Sequence, residues 1–493
     1  MGCRAQPAFP QSSEADTLGR PSHKVLPVTL PRSRRVQALI LLTTCGTMAA
    51  FPLANHFRNA ETNRDTAWFA VELSGRHAAG DASQVGRNKD YPLWYATGRA
   101  FLAGDDYYPP DAGTVFPFMY PPFAALLLGL VSGLGPDGML LVLVLLNVLS
   151  VAVAVELSVR VAAGTGDVSL WLRLIPSAIC LFFVNDMFLL GQPNLGLLCL
   201  ALGGLMLARS GREVAGGGLL AAAAALKAFP AVVIVYLVWR RHWQAAAAMV
   251  AFTALFLVPL PAAVRGWDRS VAELQRWADG MLFKQGESGF GQRPEQSLGW
   301  KNQSLFGVGH RLLRPVNAYA DEMDVSTAEA GAALNLTPAQ VAEIDATRTP
   351  PRELFVNLLT LSHQQALAGI VLVAGLMGLA FVGVMPARAA RTRHTDALEF
   401  GILAVLITIC TPYTFTYYFV WMLFPLTVLV RRGMSGQPAL DRRLAWGTVA
   451  AVMALFALSA PLAETREMMA IGAQFWAAVL TAAGCGWALV RER

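Results

Sequence analysis

The fold class this sequence predicts is an all-α polytopic membrane protein, and three observations predict it. Only 15% of the 493 residues are charged and 55% are hydrophobic, against about 25% charged in an ordinary soluble protein, so the chain cannot cover a water-facing surface. Apolar runs such as 138–159, 244–264 and 366–384 approach or exceed the ~20 residues that carry a helix across ~30 Å of hydrocarbon. The Lys and Arg side chains stand in short groups beside these runs, the pattern left by cytoplasm-facing loops. A net charge of +6 therefore points to anionic lipid and not to nucleic acid.

Residues 1–35 are a polar tail ending in Arg32, Arg34 and Arg35, read as cytoplasmic. The apolar run 36–53 that follows is expected to remain as a first helix, since 52–57 holds no small-residue cleavage site. A polar stretch, 55–118, is far longer than an ordinary helix connection. Within it, Leu93 to Leu102 reads as a short amphipathic juxtamembrane helix with Asp90 at its start and Trp94, Tyr95 and Phe101 suited to the interface. Apolar runs come next at 120–134, 138–159, 168–190, 195–209, 216–239 and 244–264. A second polar loop, 265–362, carries an acidic, Ala-rich insertion from Asp321 to Arg352. The remaining runs are 365–386, 397–412, 417–430, 444–461 and 469–490. The expected bundle has about 11–13 transmembrane helices. It divides into the 1–35 tail, a 36–430 membrane domain and C-terminal helices over 431–493.

Counting each early run as one crossing puts Arg160, Arg209 and Arg212 outside, against the positive-inside rule. Two adjustments bring them inside with Arg240, Arg241, Arg388, Arg391, Arg393, Arg431 and Arg432. The run 120–134 stays at the outer surface, and 216–239 becomes two half-length helices broken between Lys227 and Pro230. Pro230 lacks a donor N–H and disfavours helical backbone at Phe229. Such a break survives at membrane depth only where protein buries it or a wet cavity borders it. Both polar loops, Gln192 to Asn194 and the turn from Thr411 to Tyr418 then lie outside or at its edge.

The residues capable of chemistry lie on that side. Asp90 can cap its helix, and it can also act as a base. Asp105 and Asp106, after Gly104 and before Tyr107, read as a solvated turn. Asn185, Asp186, Gln192 and Asn194 put carboxylate and carboxamide groups near bilayer depth, where polar groups are costly unless they face a bundle interior. Lys227 is an isolated cation among alanines. It is either a snorkelling lysine or, at a helix break, a partner for phosphate. Arg293, Lys301, Asn302, Gln303 and Arg311 offer cations and carboxamides to an anionic head group or a sugar, though loops are polar in any case. No nucleotide-binding loop, nucleophile elbow or metal-ligand spacing is present, and five of the six cysteines fall inside apolar runs.

In this order, several pieces of the sequence resemble glycosyltransferase family 87, multi-spanning enzymes of the GT-C superfamily. They are Asp90 with Tyr91, Tyr95 to Ala100, Tyr107 with Tyr108, Tyr120 to Phe123 and Gly191 to Asn194. Downstream come Ala215 to Gly218, Leu226 to Pro230, Asn302 to Leu305 and Thr411 with Pro412. The resemblance implies a GT-C-type bundle and an outward-facing site using a polyprenyl-phosphate sugar; no cofactor and no metal ligand are expected. It implies Asp90 as catalytic base; the cations placed to neutralise the departing donor phosphate are Lys227 with Arg293, Lys301 or Arg311. Substrate contacts fall to Tyr91, Tyr95, Gln192, Asn194, Asn302, Gln303 and Tyr417. Members include mannosyltransferases that build glycolipids and relatives that transfer arabinofuranose. Many carry a His where this chain has Tyr417, which puts sugar specificity in question.

The expected activity is transfer of a sugar, mannose first, to a lipid-linked or envelope glycan acceptor on the outer face of a bacterial plasma membrane, with inversion. A transporter or lipid flippase is the rival, favoured by the broken helix and the intramembrane lysine. Two long outer loops and the absence of matching hydrophobic halves speak against it. A non-catalytic membrane subunit would leave the ordered polar motifs unexplained.

Overall fold

The computed structural model describes residues 90–108, 118–164, 168–286, 289–290, 297–319, 353–435, 439–459 and 466–492, with scattered helical positions between 39 and 54. The 1–35 tail, most of the first loop, Arg293 and the 321–352 insertion lie outside them. The described chain is almost entirely helical, with one two-stranded antiparallel hairpin, Gln285–Gly286 with Gly289–Phe290.

The juxtamembrane helix forms as expected, from Asp90, as α1 (Asp90–Ala103). It is followed by α2 (Pro122–Ser132), α3 (Gly135–Ala163), α4 (Trp171–Ile179), α5 (Leu181–Leu190), α6 (Asn194–Arg209) and α7 (Glu213–Leu226). A 3-10 turn over Phe229–Val232 then leads into α8 (Val233–Trp239). Next are α9 (Trp243–Leu257), α10 (Pro259–Arg265), α11 (Trp267–Ala278) and α12 (Leu305–Leu313). Six more complete the chain: α13 (His363–Val384), α14 (Arg393–Ile409), α15 (Leu423–Ser435), α16 (Ala439–Leu458), α17 (Arg466–Ala470) and α18 (Ala473–Arg491).

By length and apolar composition, four described helices can cross a membrane: Gly135–Ala163, Trp243–Arg265, His363–Val384 and Ala473–Arg491. The run 168–190 is a fifth if α4 and α5, bent by 59°, count as one span. The runs at 120–134, 195–209 and 216–239 are realised as helices too short to span alone.

The short helices have a consistent arrangement. The α7–α8 unit stops at Lys227, whose backbone is extended (φ −154°, ψ 122°), and then turns back. Its two ends lie together, because the Glu213 carboxylate meets His242 Nδ1 at 2.9 Å and accepts from the Gln244 N–H at 3.1 Å. Residues 213–242 thus form a re-entrant hairpin with Lys227 near its tip. Close backbone approach makes this possible, since a Cβ on Gly216 would lie 2.6 Å from the Gly204 carbonyl of α6, and one on Gly217 would collide with the Ala245 carbonyl of α9. Small residues at helix interfaces serve such contacts in membranes.

At the hairpin's open end the arginines gather. Arg240 and Tyr236 bind Glu399, and Arg391 and Arg209 bind Asp396. Arg388 donates to the Arg240 carbonyl at 2.7 Å and Arg393 to the Arg160 carbonyl at 2.8 Å. The sixteen residues of α6 separate this end from Asn194 by about 24 Å of helix rise. The polar residues around Lys227 therefore sit at the other end of the bundle, recessed relative to a ~30 Å hydrocarbon layer.

Candidate active site

Helix α1 is held in place by its second residue. The Tyr91 hydroxyl donates to the Phe188 carbonyl at 3.1 Å, near the end of α5. That helix stops at Gly191, which is left-handed (φ +69°), and a Cβ there would lie 2.7 Å from the Tyr91 ring. Glycine is thus required twice, for the turn and for the contact. The turn aims Gln192 at the N-terminus of α1, where its Nε2 donates to Asp90 Oδ2 at 2.6 Å.

The other end of the same amide meets Lys227. Gln192 Oε1 accepts from Lys227 Nζ at 3.0 Å and from the Tyr120 hydroxyl. Lys227 also donates to Asn194 Oδ1 at 3.1 Å. Its ammonium lies 4.2, 4.9 and 5.2 Å from the ring centroids of Tyr418, Tyr417 and Tyr120. Among the described residues no carboxylate forms an ion pair with it. The charge is instead held by two amide oxygens and the π faces of these rings and of Phe229 at 6.0 Å, neutral groups that leave a cation available to an anion. Asn194 is itself fixed, its Nδ2 donating to the Tyr417 carbonyl at 3.3 Å and its own carbonyl accepting from Trp421 Nε1 at 2.8 Å. Asp186 joins the same cluster, with its carboxylate on the Tyr417 backbone N–H and within electrostatic reach of Asp90.

Asp90, Tyr91, Gln192, Asn194, Lys227 and Tyr417 are thereby brought into one constellation. Tyr95 is half-buried further along α1. Asn302 and Gln303 take a different part: both are fully buried and shape the 412–418 segment. Asn302 Oδ1 accepts from the Thr414 N–H at 3.0 Å, while its Nδ2 donates to the Ser297 and Pro412 carbonyls at 2.8 and 2.7 Å. Gln303 donates through its backbone to Thr414 at 2.7 Å and through Nε2 to Trp300 and Met469.

Arg311, expected at the donor phosphate, is set among backbone carbonyls. Its guanidinium is fully buried and donates to the carbonyls of Ala470, Leu298, Gly299 and Asn302, which makes it a tie between α12 and α17. Lys301 is exposed, its ammonium 5.4 Å from the Trp300 ring. Arg293 lies outside the described residues.

Four further participants were not assigned a site role from the sequence. Tyr120 was legible as an interfacial aromatic and as the start of the Tyr120 to Phe123 piece, and Tyr418 only as the end of the outer turn from Thr411. Asp186 was singled out by its depth, but nothing in the sequence tied it to Asp90. Arg265 opens the second polar loop and caps α1 from the other end, donating to the carbonyls of Phe101 and Asp105 at 2.8 Å while paired with Glu273. Glu273 also accepts from Tyr107 at 2.9 Å. Burial first, then the Glu273 charge, pushes that phenol well above its ordinary value, so it acts as a neutral donor.

A carboxylate base and an unneutralised ammonium, joined through one amide, can accept a proton on one side and stabilise a departing oxyanion on the other. Comparison with protein families matches residues 118–412, more than half of the chain, to glycosyltransferase family 87. No curated protein and no solved structure matches the chain. The matched segment contains Gln192, Asn194 and Lys227, and Asp90 reaches them from outside it through the Tyr91 contact.

Proposed function

The chain belongs to glycosyltransferase family 87 and is a membrane glycosyltransferase; from this we propose that it transfers mannose from a polyprenyl-phosphate donor to a lipid-linked or envelope glycan on the outer face of a bacterial plasma membrane. The observation that supports this reading best is the Asp90–Gln192–Lys227 arrangement, because it supplies both groups that a single displacement needs. Asp90 takes the proton of an acceptor hydroxyl as its oxygen bonds to C1 of the sugar. The bond from C1 to the phosphate oxygen breaks on the opposite face, and the phosphate leaves with the electron pair toward Lys227. One base suffices, and the anomeric configuration inverts. Lys227 is the cation for the phosphate, with Lys301 and Arg293 as further contributors. Tyr91, Tyr95, Gln192, Asn194 and Tyr417 border the substrates, and Asn302 with Gln303 shape that border indirectly. No cofactor enters this scheme.

The test is steady-state transfer by purified protein, with a panel of polyprenyl-phosphate sugars as donors and a lipid extract as acceptor. Mannose should be the preferred sugar, and arabinofuranose the competing result. Asp90→Asn keeps size and one acceptor oxygen but cannot take up a proton, so turnover should fall by at least about 10²-fold with donor binding retained. A near-normal rate in this variant would remove Asp90 as the base.

A further inference from the structure

We propose that Gln192 is a positioning residue whose amide acts as a spacer, keeping Asp90 and Lys227 from pairing with each other. The inference rests on the reading of Asp90 as base and Lys227 as phosphate partner, and it goes beyond substrate contact by Gln192.

The orientation of the amide is dictated by its neighbours. Lys227 and the Tyr120 hydroxyl are donors and both reach Oε1, whereas Nε2 faces the carboxylate oxygen of Asp90. A flipped amide would set NH2 against two donors and oxygen against a carboxylate. Gln192 is 3% exposed, and its backbone N–H is bound to the Met187 carbonyl at 2.9 Å behind the left-handed Gly191, so the side chain has little freedom to leave. Tyr120 is in turn fixed by the edge-on ring of Trp94 from α1, 5.8 Å between centroids.

The spacing serves two needs that a direct ion pair would defeat. An ammonium against Asp90 would favour its charged form and weaken it as a base, by the 1–3 pKa units such contacts produce. The same contact would neutralise Lys227 before any phosphate arrived. With one amide between them, the two charges stay within electrostatic reach without pairing with each other, and Lys227 keeps its ammonium for the phosphate. The amide dipole is aligned with both, its NH2 toward the anion and its oxygen toward the cation.

The experiment measures binding, so it does not depend on turnover. Farnesyl phosphate serves as a short polyprenyl monophosphate, titrated by calorimetry into the full-length protein in nanodiscs at pH 7. Gln192→Met keeps the volume and removes the amide, letting Lys227 close onto Asp90. If nine-tenths of the molecules adopt that pair, the apparent Kd weakens about tenfold. Asp90→Asn placed in the Gln192→Met background removes the competing anion and should restore the Kd to within about threefold of wild type. Gln192→Glu should weaken binding as well, because its carboxylate pairs with Lys227 itself, and adding Asp90→Asn there should restore nothing. Wild-type affinity in Gln192→Met, or a loss that persists in the double variant with Asp90→Asn, overturns the spacer role, and a merely structural role predicts that persistence. Lys227→Met tests the underlying reading separately. Wild-type affinity in that variant would remove the phosphate assignment and the spacer with it, whereas weakened affinity there together with no rescue in the double variant overturns the spacer alone.

Discussion

His310 is buried on α12 with its Nδ1 3.5 Å from Arg314 and its ring stacked on His363, 5.4 Å between centroids. The edge-on ring of Phe306 also packs against it, 4.5 Å between centroids. Arginine can only donate, so the His310 Nδ1 facing it accepts. Burial first, then the charges of Arg314 and His363, pushes His310 down to about 3. The folded pKa thus lies below the unfolded value of about 6.5. Between those values the unfolded chain binds a proton that the folded chain does not. This part of the stability is complete above about pH 6.5 and is lost as the pH falls toward 3. The Tm of wild type should therefore drop more between pH 7 and pH 5 than that of His310→Gln, and parallel curves would remove His310 as the source. Residue type alone did not disclose such roles. Lys227 was legible because a lone cation among alanines has few explanations, but Arg311 and Asn302 carry the same polar groups as any loop. Only their burial shows what they hold in the fold: Arg311 ties the carbonyls of Leu298 and Ala470, and Asn302 binds Pro412 and Thr414.

Between elements, the contact that matters most for Asp90 is the seat of Tyr91 on Gly191. An alanine there meets two penalties, a left-handed backbone that costs an L-residue about 1–2 kcal/mol and a Cβ 2.7 Å from the Tyr91 ring. The ring has to move, and α1 carries Asp90 away with it. Gly191→Ala should lower turnover by about 10²-fold, the scale of a 1 Å misplacement, and Tyr91→Leu in the same chain should recover part of it. Unchanged turnover in Gly191→Ala would show that other contacts, such as the Arg265 cap, suffice to place α1. The start of α1 at Asp90 and the break at Lys227 were both readable, the first from an acidic residue before an amphipathic run, the second from Pro230. The 59° bend between α4 and α5 was not, because a predominantly apolar run from 168 to 190 gives the same hydropathy whether straight or bent. Pro176, inside α4, was its only local sign.

For the whole molecule, the positive-inside argument made a geometric claim that the fold bears on directly. Arginines widely separated in sequence were expected on one side only if 216–239 turned back, and the α7–α8 hairpin does turn back, bringing Arg240 beside Glu399 and near Arg388. Arg160, Arg209, Arg391 and Arg393 meet at that same end. Glu213 and His242 close the hairpin's mouth there too. The ionic lattice thus fixes which groups share a face, and the positive-inside rule makes that cation-rich face the one expected toward the cytoplasm. Accessibility labelling checks this orientation. In a cysteine-free background, single cysteines at Asp106 and Lys301, both exposed and on the polar loops, should react with an impermeant maleimide in intact cells. Cysteines at Arg212 and Arg388, exposed at the arginine end, should react only after the membrane is opened. Labelling of Arg212→Cys from outside would place the arginine end on the outer face. Asp90 and Lys227 would then open toward the cytoplasm, where a donor presented on the outer leaflet could not reach them.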